Sequence, residues 1–428
     1  MSFILLKTNK LSAKQFITSF LHRKGAHVLF SFFFNKVTSF LVVIAIVNLL
    51  PKSEYGYITY AVSTLGFLLP FMGAGLHQGL VRYGSLSEGQ RQKKILAKAT
   101  MWNALKWSSV FVIVLLLLSP FLTKNIPEAS FYLSVLSFQF IGLLLFQFVA
   151  VYCRLLGLNR LYAKIENINN VLLVIGNIAM CFLLGGPGYV ISMVSIPFIV
   201  ALFFAFRLGL FSKEVEEERA DIDWKEYIIY GLSVSIGGVL SQLLYSVDIL
   251  LLGNMLENSE ELIAQYKVAT IFPFSLLFIP VAIVTTDFVK LARAAETDKA
   301  FIKNYYWNYL KLFSGVAALI FAFFWFFGES LLALFGKDYQ QVPELMVIFA
   351  VGIVGGLLFR VPLGNILSAI GWPKINAVFS AIIVMLNVVG SYFMIQWYGI
   401  IGAAIVTASL MWLSGLLSLG ALLWFLKK

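Results

Sequence analysis

Charge is scarce in this chain. Only 12% of its 428 residues are Asp, Glu, Lys or Arg, where soluble domains carry about a quarter. So few charges cannot cover a water-exposed surface. With 60% hydrophobic residues and a mean hydropathy of +0.88, a soluble enzyme is excluded. Cysteine is nearly missing: Cys153 and Cys181 stand in apolar surroundings without a CxxC pair, so no disulfide framework is expected. The histidines, His22, His27 and His77, have no metal-ligand spacing. No Ser/His/Asp set or Walker loop occurs, so no metal, cofactor or catalytic centre is expected. A small-residue cleavage site after the first apolar run is lacking too, and no cleaved signal peptide is expected.

What the chain has instead is long apolar runs. They reach about 20 residues, the length of a membrane-spanning helix, against about 10 for the alternating strands of a lipid-facing barrel. The fold class is therefore an all-α polytopic membrane protein with about twelve transmembrane helices. Spans are expected at 25–50, 57–82, 99–122, 129–152, 165–186, 187–210, 227–253, 264–289, 305–327, 340–363, 375–396 and 398–426. The last two are separated by the polar turn Gln396-Trp397-Tyr398-Gly399. Among the 32 basic residues, Lys52, Lys124, Lys267 and Lys337 fall on one side and Lys36, Lys106 and Lys311 within spans; all others fall on the opposite side. The positive-inside rule makes that side, with both termini, cytoplasmic. It also accounts for most of the +11 net charge without a nucleic-acid partner.

Residues 1–24 read as a cytoplasmic or interfacial segment, in which Leu11, Phe16, Ile17, Phe20 and Leu21 among Lys and Ser suggest an amphipathic helix. An acidic run from Glu214 to Asp223 marks 211–226 as a linker between halves 25–210 and 227–426. The halves repeat. Trp102-Asn103-Ala104-Leu105-Lys106 matches Trp307-Asn308-Tyr309-Leu310-Lys311, Asn48 and Ser53-Glu54 match Asn254 and Ser259-Glu260, and Val81-Arg82 matches Val289-Lys290, all at nearly one spacing. Each half has an even span count, so the repeats are parallel: two six-helix bundles related by a pseudo-two-fold along the membrane normal. Transporters rock such halves around a site at their interface.

Lys36 lies in mid-span, where a charge costs about 3 kcal/mol on insertion scales and by default marks function. It flanks a polar stripe of His27, Ser31, Asn35 and Thr38. The other reading of Lys36 is a structural bond to a neighbouring helix. Arg82 and Lys290 end the second and eighth spans at matching positions. Orientation bias explains each, and their symmetry also fits a phosphate site. Arg360 is deeper, after a Gly352-Gly355-Gly356 face. Ser235, Gln242 and Ser246 share a face of the seventh span, beside Asp248. Asp248 has two readings, a site for a coupling cation or a fold-fixing partner of a Lys. Pro70 with Gly66, Gly73 and Gly75 interrupts the second span, and Pro273 and Pro280 the eighth. Broken helices at matching positions point to a transport path. Deep cations with almost no deep acid in the first half suit an anionic ligand group such as a diphosphate.

Asn48-Leu-Leu-Pro-Lys-Ser-Glu-Tyr-Gly56 and Gly73-Ala-Gly-Leu-His-Gln-Gly-Leu-Val-Arg82 resemble the opening of the polysaccharide (O-antigen type, Wzx-like) flippases. These belong to the multidrug/oligosaccharidyl-lipid/polysaccharide exporter superfamily. Asp248-Ile-Leu-Leu-Leu-Gly253, Gly371-Trp-Pro-Lys-Ile-Asn376, Asn387 and Trp397-Tyr-Gly-Ile-Ile-Gly-Ala-Ala404 resemble its later segments. The resemblance implies two six-helix bundles around a central cleft. It implies a non-enzymatic flippase of the bacterial inner membrane in O-antigen or lipopolysaccharide assembly. Its substrate would be a polyprenyl-diphosphate-linked oligosaccharide, moved from the cytoplasmic to the outer leaflet by alternating access. Its partners would be membrane lipid and a glycan polymerase or export machinery, and it would act as a monomer. Within that expectation, depth and face nominate Lys36, Arg82, Lys290 and Arg360 for the anionic head, Asn35 and Gln242 for sugar hydroxyls, and Asp248 for a coupling ion. A multidrug exporter of the same superfamily is the alternative, although such exporters often carry an acid in the first half. A membrane glycosyltransferase or polymerase would want a larger outer loop. The related peptidoglycan-precursor flippases have two further helices, for which this chain has no room.

Overall fold

A computed structural model describes residues 25–87, 89–212 and 223–427. The expected interfacial helix before residue 25 and most of the acidic linker lie outside them. Every regular element among the described residues is helical, as a chain in lipid requires when its backbone must satisfy its own hydrogen bonds. The helices are α1 (Gly25–Leu49), α2 (Lys52–Leu68), α3 (Leu76–Leu86), α4 (Gly89–Leu122), α5 (Ala129–Ser137), α6 (Gln139–Leu155) and α7 (Asn159–Arg207). They continue as α8 (Trp224–Met255), α9 (Glu260–Ser275), α10 (Phe278–Thr297), α11 (Lys299–Ala333), α12 (Glu344–Gly355), α13 (Val361–Ala369) and α14 (Pro373–Lys427). Taking interrupted rods such as α2–α3 as one, 8 helices among the described residues are long and apolar enough to cross a membrane. The protein is thus a multi-pass membrane protein.

Several rods outrun the expected spans. α4 begins at Gly89 and α11 at Lys299, each well before its apolar run. A helix need not stop where hydrocarbon stops, and Gln, Lys and Ala are good helix formers in water. The interruption expected in the eighth span falls at Leu276 and Leu277, between α9, which contains Pro273, and α10, which contains Pro280.

The chain forms two compact units, Val42–Ala264 and Met1–Leu41 with Gln265–Lys428. Their borders cut α1 and α9. Within the first unit, α8 lies along α2, α3 and the segment joining them. In the Val42–Ala264 unit, Leu76, Met101, Phe148, Phe204 and Tyr227 share one core.

In the other unit, Leu291, Tyr305, Tyr309, Leu363 and Ile366 do the same. There a wide π turn at Gly356–Arg360 joins α12 to α13. Tyr306 and Tyr309 of α11 donate their hydroxyls to the carbonyls of Leu358 (3.2 Å) and Leu357 (2.8 Å), which gives both buried phenols the partner they need. The glycine face predicted before Arg360 is a packing face: a Cβ on Gly352 or Gly355 would lie 2.8 Å from Ala408 or Trp412 of α14. Close backbone approach of this kind drives helix association in lipid, where apolar burial gains nothing.

Candidate functional site

The second span breaks in its middle. α2 ends at Leu68, Leu69–Gly75 forms a tight 3-10 stretch containing Pro70, and α3 restarts at Leu76. Proline removes a backbone donor and clashes with the preceding turn. Beyond it, Met72 is extended (φ −53°, ψ 129°), and Gly73, Ala74 and Gly75 are left-handed at φ 57°, 51° and 72°. Glycine accepts that conformation freely, but Ala74 adopts it at a cost of about 1–2 kcal/mol. Packing holds the break in place. Gly73 N–H donates to Ser108 Oγ of α4 at 2.9 Å. A Cβ on Gly75 would lie 2.2 Å from the Gly231 carbonyl oxygen of α8, so the two chains meet backbone to backbone there.

Beside the break is a pocket of about 580 Å³, within the usual size range of small-molecule sites. Leu69, Pro70 and Val234 give it apolar walls, and His77, Gln78, Ser235 and Gln242 supply its polar groups. Among the described residues, no Asp, Glu, Lys or Arg lines it. His77 and Gln78 stand in the first turn of α3, where the helix dipole is positive and backbone N–H groups lack helical partners. Gln78 Nε2 is 3.1 Å from His77 Nε2. Ser235 Oγ is buried and makes no hydrogen bond among the described residues. Ser233, two residues earlier and on nearly the opposite side of α8, returns its hydroxyl to the Ile229 carbonyl at 2.7 Å; Ser235 does not. The Gln242 amide fits because Gly66 faces it, for a Cβ there would lie 3.1 Å from Gln242 Nε2.

Of the residues nominated to contact the substrate or a coupling ion, only Gln242 lines this pocket; Ser235, Pro70 and Gly66, also singled out in the sequence, line it too. Arg82 lies at the other end of α3, exposed, with its guanidinium 4.9 Å from the centre of the Tyr230 ring. Beside it, Tyr83 stacks on Tyr227 at 4.9 Å and donates to Glu226 Oε1 at 3.0 Å. Asp248 is buried on α8, away from the lining. In the other unit, Lys36 on α1 is exposed and pairs with no carboxylate among the described residues. Lys290 is exposed on α10, and Arg360 is half-buried at the end of the π turn. The side chain of Asn35 lies outside what is described. A smaller hollow of about 270 Å³ in this unit, walled by Phe321, Val351 and Trp412, includes none of these cations. Cys153 and Cys181 are free and buried.

A family model described as "Polysaccharide biosynthesis protein" matches residues 21–286, a stretch that contains every pocket residue. No curated protein matches the chain in sequence. Among solved structures, the chain is similar to an inward-facing multidrug resistance MATE family transporter of the MOP superfamily, with TM-score 0.74, 15% identity, and coverage of 92% of this chain and 96% of that one. It is also similar to the lipid II flippase MurJ in an inward closed conformation, with TM-score 0.69, 15% identity and coverage of 94% and 88%. A third match is a MOP superfamily transporter from Pyrococcus furiosus, with TM-score 0.60, 15% identity and coverage of 99% of each chain. At such identities the likeness establishes the fold, which is that of the MOP transporters.

Proposed function

Because the chain belongs to the polysaccharide biosynthesis protein family, we propose that it flips a polyprenyl-diphosphate-linked oligosaccharide from the cytoplasmic to the outer leaflet by alternating access. The observation that carries this reading is that the family match runs through the broken second span and the whole neutral pocket beside it. Transport of this kind breaks no covalent bond, so no catalytic group is assigned. The proposal includes twelve spans in six-helix halves at 25–210 and 227–426, counting α7 and α14 as two spans each because Gly185 and Gly399 interrupt them. It places the protein in the bacterial inner membrane with both termini cytoplasmic, acting as a monomer alongside the polymerase or export machinery of O-antigen or another glycan.

Lys36, Arg82, Lys290 and Arg360 are proposed contacts of the diphosphate during transport, Asn35 and Gln242 contacts of sugar hydroxyls, and Asp248 the group that binds a coupling ion. Lys36 is the first to test, since an intramembrane cation without a carboxylate partner costs several kcal/mol unless it meets water or an anion. In vesicles containing the purified protein and a polyprenyl-diphosphate oligosaccharide, wild type should expose the glycolipid in both leaflets. Lys36→Ala and Lys36→Glu should abolish exchange and Lys36→Arg retain part of it, with all three still inserted. Likeness to a multidrug transporter supports a second reading. If no glycolipid moves but a cationic dye is expelled against a proton or sodium gradient, that reading replaces the first.

A further inference from the structure

Resting on the flippase reading, we propose that the pocket at the break of the second span is a binding subsite for the uncharged sugar of the lipid-linked glycan. The subsite is formed by His77, Gln78, Ser235 and Gln242 and is separate from whatever holds the diphosphate. Its lining decides the ligand class. A diphosphate brought here would lose its hydration with no cation in the wall to replace it, and burying an uncompensated anion is prohibitive. At the turn itself, Gly73 N–H is spent on Ser108 and Leu76 N–H on the Gly73 carbonyl. A purely apolar ligand is disfavoured from the other side, since it would strip water from the Gln78 and Gln242 amides without replacing it.

A polyhydroxylated, neutral ligand meets both conditions. Its hydroxyls donate and accept, as do the Gln242 and Gln78 amides, the Ser235 hydroxyl and the neutral imidazole. Its C–H faces suit Leu69, Pro70 and Val234. Gln78 is exposed and Gln242 half-buried in this wall, so both amides are open to hydrogen-bond a ligand there. The break itself is part of the device. A continuous helix would carry backbone and side chains through this volume, while the left-handed turn swings α3 aside and presents its first turn to the pocket.

The test is binding to purified protein in lipid nanodiscs with two probes: a polyprenyl diphosphate carrying a disaccharide, taken as a panel of hexose and N-acetylhexosamine forms, and the same polyprenyl diphosphate without sugar. Wild type should bind at least one sugar-bearing probe more tightly than the bare lipid. Gln78→Leu and Gln242→Leu should each weaken that probe about tenfold, the worth of a hydrogen bond in a desolvated site, and leave the bare lipid unchanged. Gly66→Ala, which crowds the Gln242 amide, should act likewise, and unchanged melting temperatures exclude misfolding. Lys36→Ala should weaken both probes. Variants that lose both probes equally, or neither, overturn the subsite while leaving the flippase standing. A wild type that binds no sugar-bearing probe more tightly than the bare lipid overturns the subsite, and one that also moves no glycolipid in vesicles overturns the function with it.

Discussion

Glu54 shows how much one side chain can hold. Its Oε1 accepts the Tyr132 hydroxyl at 2.6 Å and the Gly186 backbone N–H at 3.2 Å, tying the start of α2 to α5 and to the restart of α7 after Gly185. A carboxylate on the first free N–H after a helix break acts as an N-cap and favours the dipole. Glu54→Ala should therefore lower stability by about 2 kcal/mol and Tyr132→Phe by about 1 kcal/mol, read as thermal unfolding of the solubilised protein. In the sequence Glu54 was visible as a repeat anchor and within the Asn48–Gly56 segment, but its bonding was not, because its partners are far off in the chain. Ser235 and Gln242 were legible as one face of a continuous helix. His77 and Gln78 were not. A helical face is read by adding about 100° per residue, and three left-handed residues just before Leu76 reset that count.

Among elements, the break in the second span was legible from Pro70 and its glycines; the left-handed alanine was not. Replacing Ala74 with Gly should be neutral or stabilising by up to about 1 kcal/mol, since it removes the Cβ from left-handed backbone. Gly73→Ala, whose Cβ would fall 2.7 Å from Ala104 Cβ, should destabilise by about 2–4 kcal/mol. Melting temperatures of the two variants should move apart, and a common shift would mean that the break is soft. α7 and α14 share a local feature that the tryptophan and arginine anchors do not show. In α7, Gly185 has φ 65° and Gly188 abuts the Met180 carbonyl. In α14, Gly399 has φ 54° and Gly402 abuts the Met394 carbonyl. A Cβ on Gly188 or Gly402 would lie 2.0 Å from that oxygen. The turn at Gln396–Gly399 stood out in sequence by its polarity. Its counterpart at Gly185 is flanked by leucines, glycines and proline and has no such signal.

For the whole molecule, composition fixed the class, and the basic residues gave an orientation that can be measured. α4 has 34 residues and is about 50 Å long, with Arg91 near one end and Lys124 just beyond the other; both are exposed. With both native thiols buried, Lys124→Cys should react with an impermeant maleimide on intact cells and Arg91→Cys only after permeabilisation. The reverse pattern would invert the topology. Sequence could not show that α8 packs into the unit of α2 to α7, because contact at Gly75 and Gly231 depends on missing side chains rather than on any hydrophobic pattern.

The single-glycine turns of α7 and α14 also bear on how the chain would enter the bilayer during synthesis under the proposed twelve-span count. Each joins two apolar arms through a bend that carries no charged residue, so no hydrated loop would be dragged through hydrocarbon. On that proposal each pair of arms inserts as one hairpin, and its orientation is set at the open end, by Arg160, Lys164 and Arg207 for one and by Lys374 and Lys427 for the other.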